Sequence, residues 1–557
     1  MTPTDKFLAA RQFLLDNRND YEKAYRGFRW PELTEFNWAR DWFDVYAKGT
    51  RKTALWLRSE TKGEAKFSYE EMAERSDRVA HFLQRQGIEP GGRIVLCLPN
   101  VPAIWELMLA ALKIGAVVVP TTTLATEDEL QDRLERSGAR VVVTDESVIG
   151  RMPSDSRLKR IVVGGGCGEW ISYEDALEES REYKAVTTRA NDPFLLYFTS
   201  GTTAKSKLVL HTHQSYPVGH LSTMYWVGIQ EDDIHQNISS PGWAKHAWSC
   251  VFAPWNAGAT TFVHDAPRFK SANALQALND VGVNTLCAPP TVWRMLIRDD
   301  LGARPRGLRE LASAGEPLNP EVIDQMEKAW GLVIRDGYGQ TETTAMVGNS
   351  PAQKVKTGSM GRPLPGYQIA VVDIEDRECS EGEVTVKLDP RPTGLMTGYT
   401  DDPARTEAAM QNGLYHTGDQ AVVDEDGYFF FVGRGDDVFK SSDYRISPFE
   451  LESALMEHPL VAEVAIVPSA DPVRTTVPKA FVTLVADTQP TEKTAREILM
   501  FAREKLAAYK RVRKLEFAEL PKTISGKIRR AELRKMETRR VNEGQRGPLE
   551  FWLKDFE

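Results

Sequence analysis

Residues 93–120 read RIVLCLPNVPAIWELMLAALKIGAVVVP. The apolar run at 93–98 has the length of a buried strand, and 117–120 (VVVP) is a second one. Between them, 102–116 reads as a helix with Pro102 near its start, where a missing N–H costs nothing. Strand, helix, strand is the signature of a parallel α/β layer, because a parallel pair needs a crossover. The rhythm continues outward. Acidic residues open a helix at 126–139 and Gly138 closes it; strands follow at 140–145 and 160–165, then at 258–264 and 283–290.

The texture changes after about residue 356. Strands at 366–373 and 382–388 are separated by turns, and 424–434 is a hairpin around Asp426-Gly427. From about 435 the chain resumes with a helix at 447–458, strands in VAEVAIVPS and KAFVTLV, and a helix in EKTAREILMFAREKL. The expected fold is therefore α/β. A large N-terminal domain, 1–434, holds two α/β subdomains and a β-rich subdomain. A small α+β domain follows at 435–540, then a C-terminal tail at 541–557.

At 557 residues the chain exceeds one ordinary core; roughly 100–200 residues per domain predicts three or four structural units. Apolar residues at 41% and charged residues at 27% fit a soluble globular protein. A net charge of −9 argues against nucleic acid as a partner. The five cysteines are odd in number and scattered, with no CxxC pair, which indicates neither zinc nor disulfides and points to a reducing, cytoplasmic compartment. The N-terminus mixes charges into its apolar positions, unlike a signal peptide. No apolar run reaches the length of about 18 residues that a membrane span needs.

Residues 197–213, YFTSGTTAKSKLVLHTH, look built to hold phosphate. A Walker A loop is excluded: Ala204 precedes Lys205 where glycine is required, and Gly201 stands four residues before that lysine rather than six. Read on its own terms, the stretch offers hydroxyls from Thr199, Ser200, Thr202 and Thr203. Gly201 allows close backbone approach to an anion, and Lys205 and Lys207 supply positive charge. Taken alone, it could also be a Ser/Thr-rich surface loop.

Its company decides. DGYGQTETT (336–344), YHTGD (415–419), GRGDDVFKSSDYRISPFELE (433–452) and PKTISGKIRR (521–530) follow in that order. With these motifs the chain resembles the adenylate-forming superfamily of acyl-CoA synthetases, luciferases and nonribosomal-peptide adenylation domains, from about residue 30 to about 535. PGWAKHAWSCVFAPWNAGA (241–259) and GYGQTETT look most like medium-chain acyl-CoA synthetases.

The resemblance implies an ATP-dependent carboxylate–CoA ligase that uses ATP, Mg²⁺ and CoA, adenylating a medium-chain or branched carboxylate to acyl-AMP with release of pyrophosphate before transfer to CoA. Thr199 to Lys207 would cradle the β- and γ-phosphates. Gly315, Glu316 and Pro317 would line the adenine pocket. Asp336, Gly337, Tyr338, Gly339 and Gln340 would continue that wall, with Thr341 near the α-phosphate and Glu342 on Mg²⁺. Asp419, helped by Arg434, would accept from the ribose hydroxyls. Lys527 would carry adenylation, its ammonium bridging the attacking carboxylate and the α-phosphate. A preplaced cation there is worth on the order of 10²–10³ in rate. The small domain would be mobile about a hinge at Asp436. Ser442, Asp443, Tyr444 and Arg445 would border the pantetheine path, and Lys510 and Arg511 would meet the CoA phosphates. The resemblance also implies a homodimer.

The chain departs from the family pattern in places. Ala204, Ser206 and Leu208 replace Gly, Pro and Gly of the phosphate loop, and Asp443 replaces a glycine beside the pantetheine tunnel. Asp443 is the one feature that favours an alternative acceptor, such as a carrier protein, over CoA. For the acyl pocket, the resemblance assigns Trp243 as a bordering aromatic beside the small Ala244. Acetate-specific relatives carry tryptophan where Gly339 stands, so Gly339 is expected to leave the floor open to longer or branched chains. His246 and Trp248 read as core packing in preference to substrate contact. His211 and His213 read as structural, lacking ligand spacing with acidic or cysteine partners.

Overall fold

The computed structural model describes residues 1–154, 157–165, 168–199, 206–351, 353–441, 444–472, 474–523 and 527–556. The chain forms two compact units. The first is Met1–Ile369 with Val386–Tyr415; the second is Ala370–Thr385 with His416–Glu557. The boundary thus falls inside the β-rich segment, ahead of the 434/435 step expected from sequence.

The first unit is built on an eight-stranded and a nine-stranded sheet. In the eight-stranded sheet, Arg93–Cys97 pairs in parallel with Val117–Pro120 on one side (Ile94 opposite Val118) and Val141–Asp145 on the other (Ile94 opposite Val141). The crossover helix is Pro102–Ile114, with proline in its first turn and Gly115 as a left-handed cap at φ 72°. Every residue from Ala103 to Ile114 is buried. A helix apolar all round belongs inside a core, and its two charges must be paired there. Glu106 accepts from Arg75 (2.5 Å) and the Tyr173 hydroxyl (2.5 Å). Lys113 meets Asp77 (2.6 Å) and Asp44 (2.9 Å). Burial pushes the Asp44 carboxyl up to about 6. The next helix, Glu127–Ser137, opens on a reciprocal cap between Thr126 and Glu129 and closes on Gly138 at φ 65°.

The far edge of this sheet turns antiparallel: Pro193–Thr199 pairs with Lys207–Thr212, which pairs with Gly398–Tyr399. In the nine-stranded sheet, Ile334–Gly339 lies parallel to Glu310–Ser313 and antiparallel to Ala345–Gly348.

The second unit contains the paired stretches Asp419–Val423 and Phe429–Arg434 of a hairpin, and a four-stranded sheet. That sheet runs Val461–Asp471, Thr475–Leu484, Lys514–Phe517, Glu550–Trp552. Its last strand corrects the expectation of a separate tail after 540. Glu550–Trp552 pairs antiparallel with Lys514–Phe517, and Leu553 is buried behind it. A buried ionic knot fastens the strand. The fully buried Lys479 ammonium meets Glu537 (2.5 Å), Glu516 (2.8 Å) and Glu550 (2.8 Å), and Arg540 meets Glu516 (2.8 Å). Among the described residues, no helix is long and apolar enough to cross a membrane.

Candidate active site

Strand Ile334–Gly339 (IRDGYG) sets the geometry of the first unit's site. Its glycines are there because two indoles press on the backbone. A Cβ on Gly337 would fall 2.3 Å from Trp226 Cε2, and one on Gly339 would fall 2.6 Å from Trp248 Cη2 and 2.3 Å from the Thr344 carbonyl oxygen. The Trp248 indole edge therefore stands where a side chain on Gly339 would go.

Past the strand the chain turns. The Gln340 amide donates to Thr343 Oγ1 (2.9 Å), and the Gln340 side-chain carbonyl accepts from the Tyr415 hydroxyl (2.8 Å). His211 fixes the next residue: its Nε2 lies 2.8 Å from the Thr341 carbonyl oxygen and its Nδ1 lies 3.0 Å from Ser215 Oγ. A carbonyl can only accept, so Nε2 carries the proton. Burial keeps the ring neutral, lowering its pKa to about 4. His211 is thus structural, as expected, but the structure it serves is the Thr341 turn.

Glu342 is buried, and its carbonyl accepts from the Met396 amide (2.8 Å). Its Oε1 accepts from the Tyr399 hydroxyl (2.9 Å) and lies 3.6 Å from Lys207 Nζ. Lys207 Nζ also lies 3.3 Å from the Tyr399 oxygen, with the Tyr399 ring 5.0 Å away. Burial, then the Glu342 charge, raise the Tyr399 pKa, so this phenol stays a donor. Thr199 ends its strand opposite Lys207. The expected contacts of Ser200, Gly201, Thr202, Thr203 and Lys205 lie outside the described residues.

The loop after Glu310–Ser313 holds Gly315 at φ 107°, with open space where a side chain would stand. Glu316 pairs with Arg294 (3.7 Å). Asp336 is buried; burial raises its carboxyl to about 8, while the Gly337 amide donates to it (3.0 Å). Trp243 caps the short helix Ala244–Ala247 and is half-buried, as is Ala244. Lys245 was not singled out from sequence. Its ammonium donates to the Ala314 carbonyl (3.0 Å), tying this helix to the Gly315 loop, and burial lowers its pKa. His246 is core: it is buried against Trp105 and bonded to Asn100 (3.1 Å), with burial lowering its pKa to about 3.

In the second unit, Asp419 is buried and stands opposite Arg434 in the hairpin. Arg434 Nε reaches Asp436 Oδ1 (3.2 Å). Tyr444 is 53% exposed and stacks on Tyr509 at 4.4 Å; Tyr509, another residue sequence reasoning missed, neighbours Lys510. Lys510 is held by Glu450 (2.6 Å), and Arg445 donates to Gln420 (2.7 Å). Arg511 is half-buried. The Ser442 and Asp443 expectations lie outside the described residues. Lys527 is exposed, its backbone held by two hydrogen bonds with Thr523 (2.7 and 3.1 Å).

Comparison with known proteins agrees with these motifs. The family model for AMP-binding enzymes matches residues 43–400, and the model for the AMP-binding enzyme C-terminal domain matches 450–527. The 4-hydroxybutyrate–CoA ligase 1 of Metallosphaera sedula is 44% identical, covering 93% of this chain and 94% of that one. The mitochondrial acyl-coenzyme A synthetase ACSM3 of Rattus norvegicus is 38% identical, covering 95% of each. Among solved structures, the anthranilate CoA ligase AuaEII in complex with anthranoyl-AMP superposes with a TM-score of 0.82 at 27% identity, over 91% of this chain and 98% of that one.

Proposed function

This chain belongs to the AMP-binding enzymes, among the adenylate-forming acyl-CoA synthetases, and from that premise we propose that it joins a short or medium aliphatic carboxylate, linear or branched, to CoA through an acyl-AMP. The observation that carries the reading is the Lys207–Tyr399–Glu342 cluster beside the Thr341 turn. It sets a cation for phosphate and a hard anion for a metal side by side.

A carboxylate resists thiols because its charge repels them and oxide is a poor leaving group. Adenylation removes both obstacles. The carboxylate oxygen attacks the α-phosphorus of ATP and pyrophosphate leaves. The CoA thiolate then attacks the acyl carbon and AMP leaves. Lys207 neutralises the outer phosphates. The Gly315 loop, open on its glycine face, offers backbone to the adenine, and Thr341 hydrogen-bonds the α-phosphate. From the second unit, Asp419 with Arg434 takes the ribose hydroxyls, and Lys527 steadies the charge moving from carboxylate to phosphate. Rotation of the small domain about Asp436 then exchanges adenylation for thioester formation.

Glu342 suits Mg²⁺. Tyr399 and Lys207 hold its Oε1, and Oε2 is the hard oxygen donor it would offer the ion. Bound there, Mg²⁺ supplies charge neutralisation for the phosphates. CoA is favoured as acceptor because relatives of nearly the same length are named as CoA ligases. The cytoplasmic setting and the homodimer expected from sequence belong to this reading; light scattering after size exclusion tests the second.

The test is loss of free thiol measured together with AMP release, with ATP, Mg²⁺, CoA and a panel of acids from acetate to octanoate. The two signals are expected in step. Pyrophosphate exchange with CoA untouched would move the reading to another acyl acceptor.

A further inference from the structure

We propose that Arg136 is a positioning residue for ATP and Mg²⁺, acting through Lys207 and Tyr399, whose places beside Glu342 it sets; the inference rests on the carboxylate–CoA ligase reading above. Lys207 opens the strand Lys207–Thr212, and Tyr399 ends the two-residue strand Gly398–Tyr399. The two pair antiparallel at the edge of the eight-stranded sheet, with Tyr399 opposite Val209. The flanking Thr397 and Thr400 amides donate to the Leu210 and Leu208 carbonyls (2.8 and 2.9 Å). So short a strand has little pairing of its own, and a third element completes its hold.

That element is the helix Glu127–Ser137, with Arg136 in its last turn. Arg136 Nη2 donates to the Ser206 carbonyl (2.7 Å) and to Asp401 Oδ2 (2.6 Å), and Nε donates to the same carboxylate oxygen (3.1 Å). Ser206 immediately precedes Lys207, and Asp401 stands two residues past Tyr399. One planar cation thus joins the two strands just beyond the side chains that meet at Glu342. Asp132 holds Nη1 from one turn back (3.2 Å). The guanidinium also lies 5.3 Å from the Phe198 ring, and Phe198 precedes Thr199, the residue opposite Lys207. Arg136 therefore reaches the backbone next to Lys207 and the strand across from it. Its side chain is only 18% exposed, so water competes little for these bonds. The rigid fork of an arginine can serve a carbonyl and a carboxylate together, which a single ammonium does poorly.

The experiment compares wild type with Arg136→Ala, Arg136→Lys and Asp401→Asn, and repeats Arg136→Ala in a Lys207→Ala background. It reads calorimetric affinity for α,β-methylene-ATP with Mg²⁺, which needs neither acid nor turnover, and the KM values for ATP and butyrate in AMP release. Arg136→Ala should weaken nucleotide affinity and raise the KM for ATP by about 10–100-fold, the usual worth of a partner that orients a binding group. The KM for butyrate should move less than about threefold, since the clamp lies on the phosphate side. Arg136→Lys and Asp401→Asn should lose less in the same direction, and serve if the alanine variant misfolds. Without Lys207, the Arg136→Ala loss should shrink to within about threefold, because the group it places is gone. Nucleotide affinity within about threefold of wild type in all three single variants would reduce Arg136 to a surface ion pair and overturn the proposal. An equal loss with and without Lys207, or a KM for butyrate rising as far as that for ATP, would mark general loosening and overturn it too. Absence of AMP release with every acid is a different result: it sinks the ligase reading, while the nucleotide affinities still report on Arg136.

Discussion

The Tyr399 hydroxyl donates to Glu342 Oε1 at 2.9 Å and stands 3.3 Å from Lys207 Nζ. One phenol therefore joins the groups assigned to metal and phosphate. Tyr399→Phe removes the hydrogen bond and keeps the ring. Partners that orient a metal-binding carboxylate are typically worth about 10–100-fold in metal affinity. The expected outcome is a rise of that order in the Mg²⁺ concentration needed for half-maximal pyrophosphate exchange. An unchanged Mg²⁺ titration would leave Tyr399 a packing residue only.

Lys527 is exposed, and its amide donates to Thr523 Oγ1. Lys527→Ala should lower acid-dependent pyrophosphate exchange by about 10²–10³-fold. Thioester formation from supplied acyl-AMP should fall much less. Equal losses in both half-reactions would assign the lysine to binding rather than adenylation.

Buried histidines should make the protein labile to acid. Burial lowers His211 and His213 to about 4, and His235 and His246 to about 3, from the ordinary 6.5. Above pH 6.5 both folded and unfolded chains hold these rings neutral. Below it the unfolded chain binds protons that the folded one refuses, so stability falls as pH drops from 6.5 toward 4 and 3. For His211 alone the loss is on the order of 3 kcal/mol by pH 4. Urea unfolding at pH 7.5, 6 and 5 tests this, with His211→Gln, which can still donate to Thr341, flattening part of the slope. A midpoint constant down to pH 5 contradicts it.

The Lys479 knot makes a separate demand. Lys479→Met leaves Glu516, Glu537 and Glu550 facing one another in a buried place, with Arg540 on Glu516 and Lys514 near Glu537 and Glu550. Breaking a buried pair this way costs about 3–5 kcal/mol. Faster amide exchange across Thr475–Leu484 and Lys514–Phe517 is the expected readout. Exchange within a factor of two of wild type would show that the sheet holds without the knot.

The sequence was most legible where periodicity is local. The strand–helix–strand at 93–120 folds as read, because Pro102, Gly115 and the apolar runs act within a few residues of themselves. The motifs that mark the family were legible as ordered strings. Tyr399 was not: it reaches Glu342 across 57 positions and Lys207 across 192, and nothing near it in sequence marks it. Glu550–Trp552 was missed because three residues show no period; they become a strand only through an edge already formed. Gly339 misled, since a glycine announces room and cannot say whose side chain takes it.

That last relationship carries an evolutionary consequence. Trp248 and Gly339 lie far apart in the chain yet compete for one niche, so their substitutions are ordered in time. A larger residue at 339 collides with the indole unless position 248 has already shrunk, and with the Thr344 carbonyl unless that backbone has also shifted. A lineage enlarging position 339 would therefore pass first through a smaller residue at 248. Scanning either position alone would record the other's history as intolerance.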